Sequence, residues 1–112
     1  MTPAIAIPLL LAASVASAKD PDCASWPTNM AFVHLKNAGL TNNSQTDPTK
    51  AVAVRLASEK IGKDRYRQIY RITFRVKSGN DIEVITSSDA SFDECSMSGV
   101  DVFVVSRHLG GR

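Results

Sequence analysis

From Ala51 almost to its end the chain alternates apolar with polar residues. This long period-two run limits the fold more than any other feature, because strands so patterned must pair into a sheet that buries one face. In Ala51 to Glu59, Val52, Val54 and Leu56 fall on one side and Ala53, Arg55, Ala57 and Glu59 on the other. In Arg65 to Lys77, one side carries Tyr66, Gln68, Tyr70, Ile72, Phe74 and Val76; the other carries Arg65, Arg67, Ile69, Arg71, Thr73, Arg75 and Lys77. Ser78-Gly79-Asn80 reads as a three-residue hairpin loop. Pairing Lys77 with Asp81 then sets Arg75 against Glu83, Val76 against Ile82 and Phe74 against Val84, whereas a one-residue slip would set charge against core. The third strand runs to about Ser87, and the polar stretch Ser88 to Ser98 leads to a last strand, Val100 to Leu109. There Val100, Val102 and Val104 share one face, and Asp101, Phe103, Val105 and Arg107 the other.

Ahead of the sheet the period is helical. Ser25-Trp26-Pro27-Thr28 offers a start, with Ser25 or Trp26 at the cap and Pro27 in the first turn, where its missing N–H costs nothing. Met30, Ala31, Phe32, Val33, Leu35 and Ala38 give an apolar face, and Gly39 suits the left-handed residue that ends a helix. Thr41 to Pro48 consists of turn formers and reads as a loop. The expectation is an α+β domain over residues 19–112, one N-terminal helix packed on a four-stranded antiparallel meander sheet.

Residues 1–18 have the pattern of a cleavable signal peptide, an apolar stretch from Ile5 to Ala13 closing on Ala16-Ser17-Ala18 before the first charge at Lys19. Pro8 interrupts a run already shorter than the roughly 20 residues a membrane-spanning helix needs. The n-region has no Lys or Arg, and a misplaced start is the competing reading. Export places the chain in the periplasm or outside the cell, where its two cysteines, Cys23 and Cys95, can form one disulfide. Two buried free thiols are the alternative. No metal site or cofactor is expected, because the cysteines stand 72 positions apart and His34 and His108 form no ligand-spaced cluster with them.

The net charge of +2 conceals segregation along the chain. Lys50 to Lys77 holds nine basic and two acidic residues, whereas Ser78 to Asp101 holds six acidic residues and no basic one. Cross-strand pairing absorbs part of this, but Arg65, Arg67, Arg71, Arg75 and Lys77 remain a candidate basic stripe on the open sheet face. Such a stripe either binds an acidic protein partner or protects an edge. Nucleic acid is a poor partner for an exported chain with an equally strong acidic half.

Catalytic chemistry has little to work with, since no motif sets His34 or His108 beside a nucleophile and Cys95 is expected to be bonded; no catalytic residue is assigned. Asp89, Asp93 and Glu94 lack the spacing of a calcium loop. Helix followed by four meandering strands, on an exported chain of this length with one disulfide, resembles the cystatin-like α+β architecture. The Q-x-V-x-G hairpin of the protease-inhibiting cystatins is absent, Gln68-Ile69-Tyr70-Arg71-Ile72 matching only its glutamine. What the resemblance implies is binding by a sheet face or loop. The expected function is thus an inhibitor-type or immunity-type binding module. Its competitors are an envelope module docking on anionic lipid or polymer, and a small hydrolase using His108.

Overall fold

The computed structural model describes residues 20–105. The expected leader and the part of the last strand beyond Val105, with Arg107, His108 and Leu109, lie outside the described residues. Within them a helix α1 (Ser25–Asn37) and a 3-10 turn (Pro48–Lys50) precede four strands, β1 (Val52–Gly62), β2 (Arg65–Phe74), β3 (Ile82–Ala90) and β4 (Asp101–Val105). The strands form one antiparallel sheet in the order β1-β2-β3-β4, a meander with α1 on one face.

The cap of α1 is Ala24 rather than Ser25 or Trp26, and no side chain caps it. Thr28 in the first turn sends its hydroxyl back to the Ala24 carbonyl at 2.8 Å. At the other end Gly39, at φ +76°, closes the helix as expected. The Gly39 and Leu40 N–H groups donate to the Lys36 and Leu35 carbonyls, both at 2.9 Å, which satisfies two of the last orphan acceptors. Ala31, Phe32 and Leu35 enter the core, while Val33 and Ala38 of the expected apolar face remain exposed.

These three meet Tyr70, Ile72 and Phe74 of β2 and Val84 of β3, all buried. The rings of Phe32 and Phe74 stack with centroids 6.2 Å apart, and the Lys36 ammonium lies 4.8 Å from the Phe32 centroid. At the start of β1 the residues packed against this core are the small ones, Ala53 and the preceding Ala51, with Ala24 of the helix entrance also against it. Val52 and Val54 point to the opposite face and are 55 % and 41 % exposed.

Two expectations about register need correction. The alternation along β1 breaks at a bulge between Arg55 and Ala57, so that Ala57 and Glu59 share a face with Val52 and Val54 rather than with Ala53. The β2–β3 hairpin closes at Phe74–Ile82 instead of Lys77–Asp81, shifting every pair by two residues. The shift keeps both faces and changes the partners, so Glu83 stands opposite Thr73 and Val84 opposite Ile72. Its cause is a competing set of bonds: the Lys77 N–H donates to the Gln45 carbonyl at 2.9 Å, and the Ser78 N–H and hydroxyl both donate to Gln45 Oε1. The loop before the 3-10 turn thus holds residues the ladder would otherwise use. The connection between β1 and β2 is tighter, Lys63-Asp64, with Asp64 at φ +122° and its carboxylate accepting the Phe92 N–H at 3.0 Å.

Cys23 and Cys95 are joined by a disulfide that ties the helix entrance to the β3–β4 connection. Trp26 reinforces the same junction, its Nε1–H donating to the Ser98 carbonyl at 3.2 Å. Among the described residues no helix is long and apolar enough to cross a membrane.

Candidate functional site

The helix covers one face of the sheet and leaves the other open, and strand register dictates what the open face displays. Across its middle run Val54, Arg71, Ile85 and Phe103, one residue from each strand. On one side of this row lie Val52, Thr73, Glu83 and Val105; on the other lie Ala57, Ile69, Ser87 and Asp101. The open face is therefore an apolar field of β-branched and aromatic side chains crossed by a few charges. Phe103 is 61 % exposed, the most open of its large apolar residues.

The five cations expected to form a basic stripe are divided by this geometry. Arg65 and Arg67 converge on Asp89, the Arg67 Nε–H at 2.9 Å from Oδ1 and the Arg65 Nη2 at 3.0 Å from Oδ2. Arg65 also donates to the Met97 carbonyl at 3.2 Å. Arg71 lies 3.4 Å from Glu83, a diagonal neighbour that the shifted hairpin register brings within reach. Arg75 and Lys77 lie beyond the end of β2, in the loop to β3, with no ion partner among the described residues. Of the five, the two without an ion partner thus stand together at the hairpin end, beyond Arg71. Arg55 of β1 turns to the helix side and donates to the Pro21 carbonyl at 2.8 Å.

Asp89 is buried, and its environment sets its ionisation. The hydrogen bond from Arg67 holds its carboxyl below the ordinary value of 3.8, with Arg65 assisting and burial opposing. The same bond raises the Arg67 guanidinium above its usual value. Because the folded value is depressed, this carboxylate contributes stability above its unfolded pKa, and the contribution disappears as pH falls through the folded one. Asp89→Asn is expected to cost about 2 kcal/mol at pH 7, less than for a fully buried pair because both guanidinium groups are half exposed. Urea midpoints measured from roughly pH 7 down to pH 2 should show the gap between wild type and variant closing in acid; a constant gap would contradict this assignment.

Among the described residues the helix side shows no assembled catalytic group. His34 is exposed and lines a shallow depression with Ser98 and Asp101. Ser98 is already engaged, accepting the Asp89 N–H at 2.8 Å and donating to the Gly99 carbonyl at 2.6 Å, and no hydrogen bond joins it to His34. Burial raises the pKa of the Tyr70 hydroxyl, which donates to Gln68 Oε1 at 3.3 Å. The Gln68 amide in turn donates to the Pro21 carbonyl and to Ser58, a closed network that fixes the N-terminal segment to β1 and β2. Glu94 belongs to a turn, its N–H and that of Asp93 donating to the Ser91 hydroxyl. Among the described residues no group of His, Cys, Asp and Glu is placed to hold a metal ion.

Sequence reasoning located the open face but misjudged what covers it, weighing the arginines of β2 and passing over Ile69 between them. The signal was present: Ile69, Ile85, Phe103 and Val105 all stand on the polar side of their strands. Compared with protein-family models, with curated proteins and with solved structures, the chain finds no match.

Proposed function

We propose that the chain is an exported binding module of the inhibitor or immunity type, which grips a protein partner with the open face of its sheet. The observation that carries this reading is the row Val54–Arg71–Ile85–Phe103 in register across all four strands, with further apolar residues on both sides. An apolar centre crossed by arginine and edged by charge has the composition of a protein interface, and a monomeric surface seldom spends so many β-branched residues on water. Arg75 and Lys77, without ion partners among the described residues, supply the hairpin end's free positive charge, so the partner would be acidic there, with the charges acting mainly on the rate of encounter.

The reading includes export with removal of residues 1–18, which the disulfide favours because such bonds persist in oxidising compartments. It also includes the cystatin-like likeness, favoured by the order of one helix and a four-stranded meander. Anionic lipid or polymer is a weaker occupant, since most of the β2 cations already face carboxylates and the centre of the face is apolar.

The test is recovery of the tagged full-length chain from the envelope of its own cells, beside Val54→Asp and Arg71→Glu. The expected result is a processed protein beginning at Lys19 that retains one protein at low salt. Val54→Asp should lose it, and Arg71→Glu should weaken retention at least tenfold, about 1.4 kcal/mol. Equal recovery of the same protein by all three would contradict the proposal, as would lipid or polymer alone.

A further inference from the structure

A sheet of four strands has two edges, and here they differ. The outer strand β1 carries the exposed charges Glu59 and Lys60 and is kinked by bulges between Arg55 and Ala57 and between Lys60 and Gly62. Charges and bulges of this kind stop another strand from adding to a sheet. β4 has no bulge, and its one charged residue, Asp101, stands at its start. Its sequence Asp101-Val102-Phe103-Val104-Val105 pairs with β3 without a register break, and Phe103, Val104 and Val105 are 61 %, 44 % and 42 % exposed. A groove of about 350 Å³ follows its inner side, lined by Leu35, Leu40, Val102 and Val104. A regular, apolar, open edge is the form that adds a further strand.

We propose that the strand added is β4 of a second copy, antiparallel about a two-fold axis through Phe103. That register alone pairs all five described residues of β4: Phe103 meets Phe103, Val102 meets Val104, and Asp101 meets Val105 of the partner copy. In the central pairs apolar residues thus oppose one another, with an aromatic pair on the axis; the outer pairs set Asp101 against Val105, so no like charges stand opposite. Asp101 and Glu83 of different copies stay one strand apart, about 10 Å, where salt screens most of their repulsion. The protected β1 edge cannot receive β4, so head-to-tail growth is blocked and the contact closes as a pair. The result is one eight-stranded sheet with both helices on the same side and the two open faces continuous. Because this contact uses the strand edge rather than the face, it stands or falls independently of the partner proposed above.

Five residues span only about 17 Å of strand, so the dimer is expected to be weak, dissociating on the order of 10–100 µM. Sedimentation equilibrium on the processed protein should give a monomer–dimer equilibrium in that range, and Val104→Lys should be monomeric throughout. The natural cysteines are both bonded, so an introduced thiol has no competitor. Phe103→Cys should form an intermolecular disulfide at least tenfold faster than Val52→Cys on the other edge strand. A wild type that stays monomeric at several hundred micromolar overturns the proposal. A dimer that survives Val104→Lys, or equal cross-linking of the two cysteine variants, overturns it too.

Discussion

Phe74→Ala should remove about 4 kcal/mol of stability, the largest loss expected from any single truncation in the core. Phe74 has no exposed surface and stacks on Phe32, and it ends β2 just where the chain leaves the ladder for the loop that Gln45 holds. Truncation there forfeits the transfer free energy of the ring and leaves a cavity between α1 and the sheet that neither rigid element can close. For a domain of this size the loss is a large fraction of the total, typically about 5–15 kcal/mol. Urea unfolding followed by far-ultraviolet circular dichroism gives the measurement. Phe103→Ala at high dilution provides the contrast, because that ring is 61 % exposed and its removal should change stability by less than about 0.5 kcal/mol. Similar losses for the two phenylalanines would mean that the buried and open faces have been exchanged.

The Cys23→Ala/Cys95→Ala pair should cost a comparable amount, again about 4 kcal/mol. A bridge spanning 72 positions closes a long loop, and restricting an unfolded chain by that much is worth about this value in the chain-entropy account. The bond is not the sole tie at this junction, since Trp26 reaches the Ser98 carbonyl and Ser98 accepts the Asp89 N–H. The double variant should therefore keep the same fold while unfolding at much lower denaturant, and reductant should shift wild type to the same midpoint. A loss under about 1 kcal/mol would show that the loop is already restrained in the unfolded chain.

The elements of the fold were legible because each rests on local chemistry. Gly39 ends α1 as its freedom at positive φ allows, and the period-two pattern of β2 puts Tyr70, Ile72 and Phe74 in the core. The cysteine pair was legible from its count and from the leader-like pattern of residues 1–18, which made an oxidising compartment the expectation. Register was less so. The two-residue shift of the β2–β3 hairpin depends on Gln45, more than thirty positions away, and no local turn preference reports a bond of that range. The bulge at Arg55/Ala57 likewise has no glycine or proline to mark it. These two events decided the site, since the shift brought Arg71 to Glu83 and extended β3 so that Asp89 could receive Arg65 and Arg67. A row of arginines that looks unpaired along the chain is largely paired across the sheet, and what remains open beside it is apolar.

Mapping the partner's footprint tests that inversion most directly. The protein captured with the wild-type chain would be titrated into the isotope-labelled processed domain, with amide shifts followed residue by residue. Perturbations are expected at Val54, Ile69, Arg71 and Ile85, with the exposed side of α1 around Val33 and Asn37 unaffected. Shifts confined to α1, or to the loop from Thr41 to Asp47, would contradict it.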